Sequence, residues 1–132
     1  MDYTILVCDD EPDVRAAMRR TLHRYQVVAV GTAAEAMAEL KHRRYDAVVS
    51  DFNLSTANDG LELLQYVRMM CPDTVRFLVT GNTDVHVAIR AVNEGAVHRF
   101  FLKPWDDEGL VRALDIQLHG HGGRRAAGAQ VG

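Results

Sequence analysis

Short, continuous apolar runs recur along the chain and predict five β-strands. They are ILVC at 5–8, VVAV at 27–30, AVVS at 47–50, RFLV at 76–79 and RFFL at 99–102. Because apolar and polar positions do not alternate within these runs, they suit strands covered on both faces, as in a parallel sheet.

The segments between the runs predict five helices. Pro12 suits the first turn of the first helix, and Thr32 with Glu35 forms a capping box for the second. The third ends before Pro72, and Gly95 ends the fourth in a left-handed conformation. The predicted apolar stripe of the third helix is Leu61, Leu64 and Val67, or alternatively Leu63 and Met70. The predicted stripe of the fourth helix is Val85, Ala88, Ile89 and Val92.

Alternating strands and helices predict an α/β fold with a doubly wound parallel sheet. Polar side chains that suit a ligand site follow four of the strands, and these are Asp9, Asp10, Asp51, Thr80 and Lys103. The second strand ends in Val30-Gly31. Ligands gather at the carboxyl ends of such strands, so the order 2-1-3-4-5, which puts strand two at an edge, brings the four polar ends together. This is the flavodoxin-like arrangement.

Residues 1–119 are predicted to form one domain. From Gly120 the sequence has five glycines in 13 residues and no apolar period, which predicts a flexible Gly-rich tail or a severed linker over 120–132.

Composition narrows the function classes. The chain is 48% apolar and 25% charged, as is typical of a soluble globular protein, and its net charge of −3 gives no basic field for nucleic acid or an anionic membrane. The longest apolar runs fall far short of the roughly 20 residues of a membrane helix, and the N-terminus lacks the cationic start of a signal peptide. A cytoplasmic location is expected.

The predicted site places three carboxylates, Asp9, Asp10 and Asp51, beside the cation of Lys103. Like charges in one cleft need a countercharge, and oxygen ligands completed by water and phosphate are the preference of Mg²⁺. With Thr80 as a hydrogen-bond donor, the set suits phosphoryl chemistry with Asp51 as nucleophile. A plainer alternative stays open for the acids, since Asp10 or Glu11 would also serve as an ordinary helix cap.

In order and spacing, VCDDEP, VVSDFNL, LVTG and FLKPW make the chain resemble the receiver domain of bacterial two-component response regulators over residues 3–118. The resemblance implies that Asp51 accepts a phosphoryl group from a sensor histidine kinase or phosphotransfer protein. It also implies that Mg²⁺ is bound by Asp10 and Asp51, by Asp9 directly or in support, and by the backbone carbonyl of Asn53. Lys103 would pair with phosphoryl oxygens. Such a protein catalyses only its own phosphorylation and dephosphorylation.

The resemblance further implies a switch. Thr80 would donate to the phosphoryl group, and Phe100 would move into the vacated space. The output face would then be helix four, strand five and helix five, acting on an effector domain or a downstream protein, with a phosphorylation-dependent homodimer left open. The Lys103-Pro104 bond is expected to be cis. Trp105 suits either an interface or packing against the neighbouring helix.

The sequence departs from the family pattern in two places. The loop 52–59 is one residue longer than the commonest form and lacks its proline, so we expect an altered conformation there. Phe100 stands where a tyrosine is often found, which removes a hydroxyl from the output face while keeping the ring.

Two other function classes, a phosphatase and a binding module, are alternatives to a phosphorylated receiver. A haloacid-dehalogenase-like phosphatase would use Asp9 as nucleophile, but Glu11 stands where that family has a second aspartate, and the chain is short for a substrate cap. A receiver fold that acts only as a binding module is disfavoured by the complete set of acids, threonine and lysine.

Overall fold

The computed structural model describes residues 2–54, 59–81 and 85–131, and for residues 121–131 it describes the backbone alone. Strands and helices alternate throughout. They are β1 Thr4–Cys8, α1 Pro12–Thr21, β2 Gln26–Val30, α2 Ala33–His42, β3 Ala47–Asp51, α3 Asp59–Met70, β4 Val75–Thr80, α4 Val85–Asn93, β5 Arg99–Leu102 and α5 Asp107–Val131. Over the described part of the chain, no helix is long and apolar enough to cross a bilayer.

The strands form one parallel sheet in the order β2-β1-β3-β4-β5, which confirms the predicted fold class and order. The central strands β1, β3 and β4 are the most deeply buried, whereas the edge strands β2 and β5 are partly exposed. Because every strand runs the same way, all the carboxyl ends lie along one edge of the sheet.

Each face of the sheet has its own apolar core. One core joins alternate strand residues to α2, α3 and α4, and includes Leu6, Cys8, Val48, Leu64 and Ala88. The other joins the intervening strand residues to α1 and α5, and includes Ile5, Val7, Met18, Phe77 and Leu114. Complete burial of one such side chain contributes roughly 1.5–3 kcal/mol, so the helices are held in place mainly by their apolar faces.

The helix-end signals act as predicted. Thr32 Oγ1 accepts from Glu35 N at 3.1 Å, and Glu35 Oε1 accepts from Gly31 N at 3.1 Å. Pro12 lies in the first turn of α1, and Gly95 has a φ of 81° after α4. These local bonds satisfy backbone groups that a helix end leaves unpaired.

Two predicted core positions are wrong. Met70 is 61% exposed and Ile89 is 44% exposed. On α3 the buried face is formed by Leu63, Leu64 and Val67, and on α4 Ala91 lies in the core. Helical spacing fits more than one face, and the contacts with the sheet decide which face is buried.

The last helix continues beyond the expected position. We predicted a flexible tail or severed linker over 120–132, but the backbone of α5 is helical to Val131. Glycine weakens a helix without excluding it, because the i to i−4 bonds need no side chain. The division of the chain after residue 119 stays a prediction.

Candidate functional site

Three carboxylates meet at the carboxyl edge of the sheet. Asp51 is the last residue of β3, and Asp9 and Asp10 follow the neighbouring strand β1. One oxygen from each of the three lies within 4.8 Å of the others. Asp9 is buried, Asp51 is half-buried and Asp10 is exposed, so the cluster opens to solvent on the side of Asp10.

Lys103 reaches this cluster from the end of β5. Its Nζ lies 3.1 Å from Asp9 Oδ2 and 3.2 Å from Asp51 Oδ1, and its side chain is 24% exposed. Its backbone N–H donates to Thr80 O at 2.9 Å. The Lys103-Pro104 peptide bond is cis, as predicted. The structure therefore brings together residues that are far apart in the sequence.

One lysine does not balance the negative charge of the site. Burial and then the charge of Asp9 raise the pKa of Asp51 to about 6, against the opposing effects of Lys103 and of the Phe52 N–H. Burial lowers the pKa of Lys103, but its bonds and charge interactions with Asp9 and Asp51 outweigh this, and the net shift is upward. The protein alone thus makes Asp51 harder to ionise than a free aspartate, and a further cation would lower its pKa.

The donor set fits a magnesium ion. All three side chains offer carboxylate oxygen, the hard ligand that Mg²⁺ prefers, and the exposed side at Asp10 leaves room for water and phosphate. A divalent cation would also favour ionisation of Asp51, which the protein alone opposes.

We expect Asp51→Asn to stabilise the metal-free protein at pH 8 and to have little effect at pH 4. The folded-state pKa of Asp51 is raised above the unfolded value of 3.8, so its contribution to stability is complete below pH 3.8 and is lost as the pH rises through about 6. The resulting gain in the free energy of unfolding for the variant is about 3 kcal/mol at pH 8. Urea unfolding in a chelator at both pH values measures it.

The exposed, remote substitution Asp73→Asn is the control and should change stability little at either pH. A variant at position 51 that is less stable than the wild type at pH 8 would contradict this electrostatic account.

Gly60 allows α3 to begin directly against the backbone of Asp51. Its N–H donates to Phe52 O at 2.9 Å. A Cβ at this position would lie 1.6 Å from Asp51 O and 2.7 Å from Phe52 O. The contacts are with backbone atoms, which cannot rotate away, so position 60 requires glycine.

Gly60→Ala is expected to destabilise the fold by about 3 kcal/mol or more, although alanine is normally the better helix former. The substitution must push α3 away from the end of β3. Thermal and urea unfolding provide the measurement. Gly120→Ala is the matched control, because a Cβ there meets no atom within 4 Å; equal stabilities for the two variants would contradict the observed packing.

Hydrogen bonds around Asp9 show how the start of α1 is held. Asp9 Oδ1 accepts from Glu11 N at 2.9 Å, and Asp9 O accepts from Arg15 Nη1 at 2.7 Å. The N-cap of α1 is Glu11, whose side chain makes no capping bond. Glu11 therefore occupies the predicted cap position, but its side chain does not cap the helix. Arg15 was not predicted, and only its place one turn into the helix after the acids hints at a contact.

The two predicted switch residues lie on neighbouring strands. Thr80 ends β4 fully buried, with its hydroxyl donating to Gly81 O at 3.2 Å. Phe100 pairs with Leu78 in the register of β4 and β5, and its half-buried ring packs on the core beneath α4. Their proposed movement stays a prediction.

The loop after Asp51 is described in part. Asn53, whose carbonyl is a predicted metal ligand, lies in the exposed start of this loop. Leu54 is buried, and its N–H donates to Asp59 Oδ1. Residues 55–58 of the altered loop lie outside the described residues, and its conformation stays a prediction.

Comparison with known proteins gives consistent matches. The family model described as "Response regulator receiver domain" matches residues 5–115. The hydrogenase transcriptional regulatory protein HoxA of Cupriavidus necator is 36% identical over 120 residues, which cover 90% of this chain and 25% of that protein. The nitrogen assimilation regulatory protein NtrX of Azorhizobium caulinodans is 31% identical over 122 residues, 87% of this chain and 27% of that protein.

Solved structures agree. The signal receiver domain of an HD domain-containing protein from Pseudomonas fluorescens superposes with a TM-score of 0.85 at 30% identity, covering 95% of this chain and 93% of that one. The present chain spans about a quarter of the length of the sequence relatives it matches.

Proposed function

Because the chain belongs to the response regulator receiver domain family, we propose that Asp51 accepts a phosphoryl group from a histidine kinase or phosphotransfer protein. The observation that carries this proposal is the meeting of Asp9, Asp10, Asp51 and Lys103 at one edge of the sheet. The phosphatase alternative with Asp9 as nucleophile is not supported, since the family match and the fold are those of receivers.

In the proposed step, an Asp51 carboxylate oxygen forms a bond to phosphorus as the N–P bond of the donor's phosphohistidine breaks. The leaving imidazole nitrogen keeps the electron pair of that bond. Lys103 donates hydrogen bonds to the phosphoryl oxygens, which carry the negative charge in the transition state. Hydrolysis of the aspartyl phosphate by water returns the carboxylate, so the chain acts catalytically only on its own phosphorylation state.

The magnesium ion is part of the proposal. Asp10 and Asp51 would hold it through carboxylate oxygens, Asp9 would hold it directly or through water, and Asn53 would offer its backbone carbonyl. When bound, the ion neutralises charge on the phosphoryl oxygens. Lys103 already pairs with both Asp9 and Asp51, so it partly offsets the repulsion between these carboxylates before the ion binds.

We propose that the phosphoryl signal leaves through the face formed by α4, β5 and α5. Thr80 would turn its hydroxyl to the phosphoryl group, and Phe100 would follow into the space it leaves. Among the described residues, these three elements carry exposed large apolar side chains at Ile89, Leu102 and Ile116, which are 44%, 39% and 64% exposed. Such residues favour contact with an effector domain, a downstream protein or a second receiver.

A fluorescence titration tests the site. Trp105 is the one tryptophan of the sequence and lies two residues past Lys103. We expect its emission to change on addition of Mg²⁺ and again with beryllofluoride, a phosphoryl analogue. Asp10→Asn should weaken the Mg²⁺ midpoint by roughly tenfold or more, because it removes an exposed ligand.

The surface substitution Asp13→Asn is the matched control, since it removes a nearby carboxylate outside the cluster. An Asp10→Asn protein with the Mg²⁺ midpoint of the wild type would exclude Asp10 as a ligand.

A further inference from the structure

Trp105, Thr21 and Asp107 form a hydrogen-bonded cluster, here called the indole cluster, between α1 and the start of α5. The indole Nε1 lies 3.0 Å from Thr21 Oγ1 and 3.0 Å from Asp107 Oδ1. The Thr21 hydroxyl donates to Asp107 Oδ1 at 2.6 Å. Thr21 is 7% exposed, and the indole ring packs on the core beneath α1 and α5. Linked donors and a charged acceptor in a partly buried place strengthen one another.

The other end of α1 is bound to the acidic loop. Arg15 Nη1 donates to Asp9 O at 2.7 Å, and the Arg15 N–H donates to Glu11 O at 3.0 Å. Through Thr21, one helical turn and a half further on, the same helix contacts the loop beyond Lys103. Helix α1 therefore connects the backbone around Asp9 with the backbone around Lys103, the two partners of the 3.1 Å ion pair.

Hydrogen bonds hold the backbone on both sides of Lys103. On the N-terminal side, the backbone N–H of Lys103 donates to Thr80 O. After it, Trp105 reaches across to α1, and Asp106 accepts from Gly109 N at 2.8 Å to begin α5. A long, flexible side chain contributes to phosphoryl transfer only when its backbone is fixed, because small displacements of a charged donor greatly reduce its effect.

We propose that Trp105 and Thr21 are positioning residues for the phosphoryl transfer reaction, and that they act through Lys103. This inference rests on the proposed function. Within the part of the chain that the structure describes, neither side chain hydrogen-bonds to the three carboxylates, so the effect is indirect. The indole N–H and the threonine hydroxyl hold the backbone from which Lys103 extends.

The test compares phosphorylation rates with acetyl phosphate at saturating Mg²⁺. Trp105→Phe keeps an aromatic ring and removes the N–H, and Thr21→Val keeps the shape and removes the hydroxyl. Each should lower the rate roughly three- to tenfold, while the Mg²⁺ midpoint measured by calorimetry stays within about twofold. Thr21→Ser retains the hydroxyl and should restore most of the rate. Urea unfolding confirms that each variant is folded.

A double-mutant cycle separates positioning from general support of the fold. In a Lys103→Met protein, adding Trp105→Phe should change the residual rate by less than about twofold, because the residue through which the cluster acts is gone. The same three- to tenfold loss in both backgrounds would overturn the inference. So would wild-type rates for Trp105→Phe and Thr21→Val.

Phosphorylation of the wild-type protein separates failure of the proposed function from failure of the positioning role. If it takes no phosphoryl group, the proposed function fails and the inference falls with it. If it is phosphorylated normally and the two variants match it, the inference alone is overturned.

Discussion

Asp51→Asn is expected to abolish phosphorylation of the protein by acetyl phosphate. The amide oxygen is a poor nucleophile, and removal of a nucleophile commonly costs a rate factor of about a thousand or more. The fold should survive, because Asp51 is destabilising in its ionised form: burial and the charge of Asp9 raise its pKa to about 6. Incorporation of labelled phosphoryl groups over time gives the rate.

Asp9→Asn is the informative control for this experiment. Asp9 is 3% exposed and pairs with Lys103, so its loss should slow the reaction and leave incorporation at Asp51 detectable. If Asp9→Asn abolished incorporation and Asp51→Asn retained it, the nucleophile would be Asp9 and the reaction would be of another class.

Lys103→Met is expected to lower the phosphorylation rate by about a hundredfold. The ammonium group lies 3.1 Å from Asp9 and 3.2 Å from Asp51, the place from which it can reach oxygens of a phosphoryl group on Asp51. Methionine keeps an unbranched side chain that is one atom shorter and removes the charge. The rate with acetyl phosphate at saturating Mg²⁺ is the measurement.

The matched control for the lysine is Lys103→Arg, which keeps a positive charge and changes its shape. It should retain more of the rate than methionine, because the charge interaction with the phosphoryl group persists. A Lys103→Met protein with the wild-type rate would show that the lysine serves only to pair with Asp9 and Asp51.

Much of the fold could be predicted because the relevant signals are local. Each strand is a continuous apolar run, and Thr32, Glu35 and Gly95 mark helix ends within a few residues of themselves. The sheet order followed from chemistry: the second strand ends in Val30-Gly31, and placing it at the edge brings the polar strand ends together. The observed order and the cluster of three carboxylates agree with that argument.

The features that sequence analysis missed depend on distances across the fold. Ile89 and Met70 fit a helical stripe, but the side that meets the sheet is decided by packing. The bond from Trp105 to Thr21 joins positions 84 residues apart. Position 60 needs glycine because a Cβ there would lie 1.6 Å from the backbone oxygen of Asp51. None of these contacts leaves a periodic pattern in the sequence.

The position of the phosphoryl group distinguishes Asp51 from the neighbouring carboxylates as the phosphorylated residue. After reaction with acetyl phosphate and Mg²⁺, borohydride reduction converts an aspartyl phosphate to homoserine, which peptide mass spectrometry locates. We expect homoserine at residue 51, dependent on both the donor and Mg²⁺. Modification at Asp9 or Asp10, with residue 51 unchanged, would contradict the account.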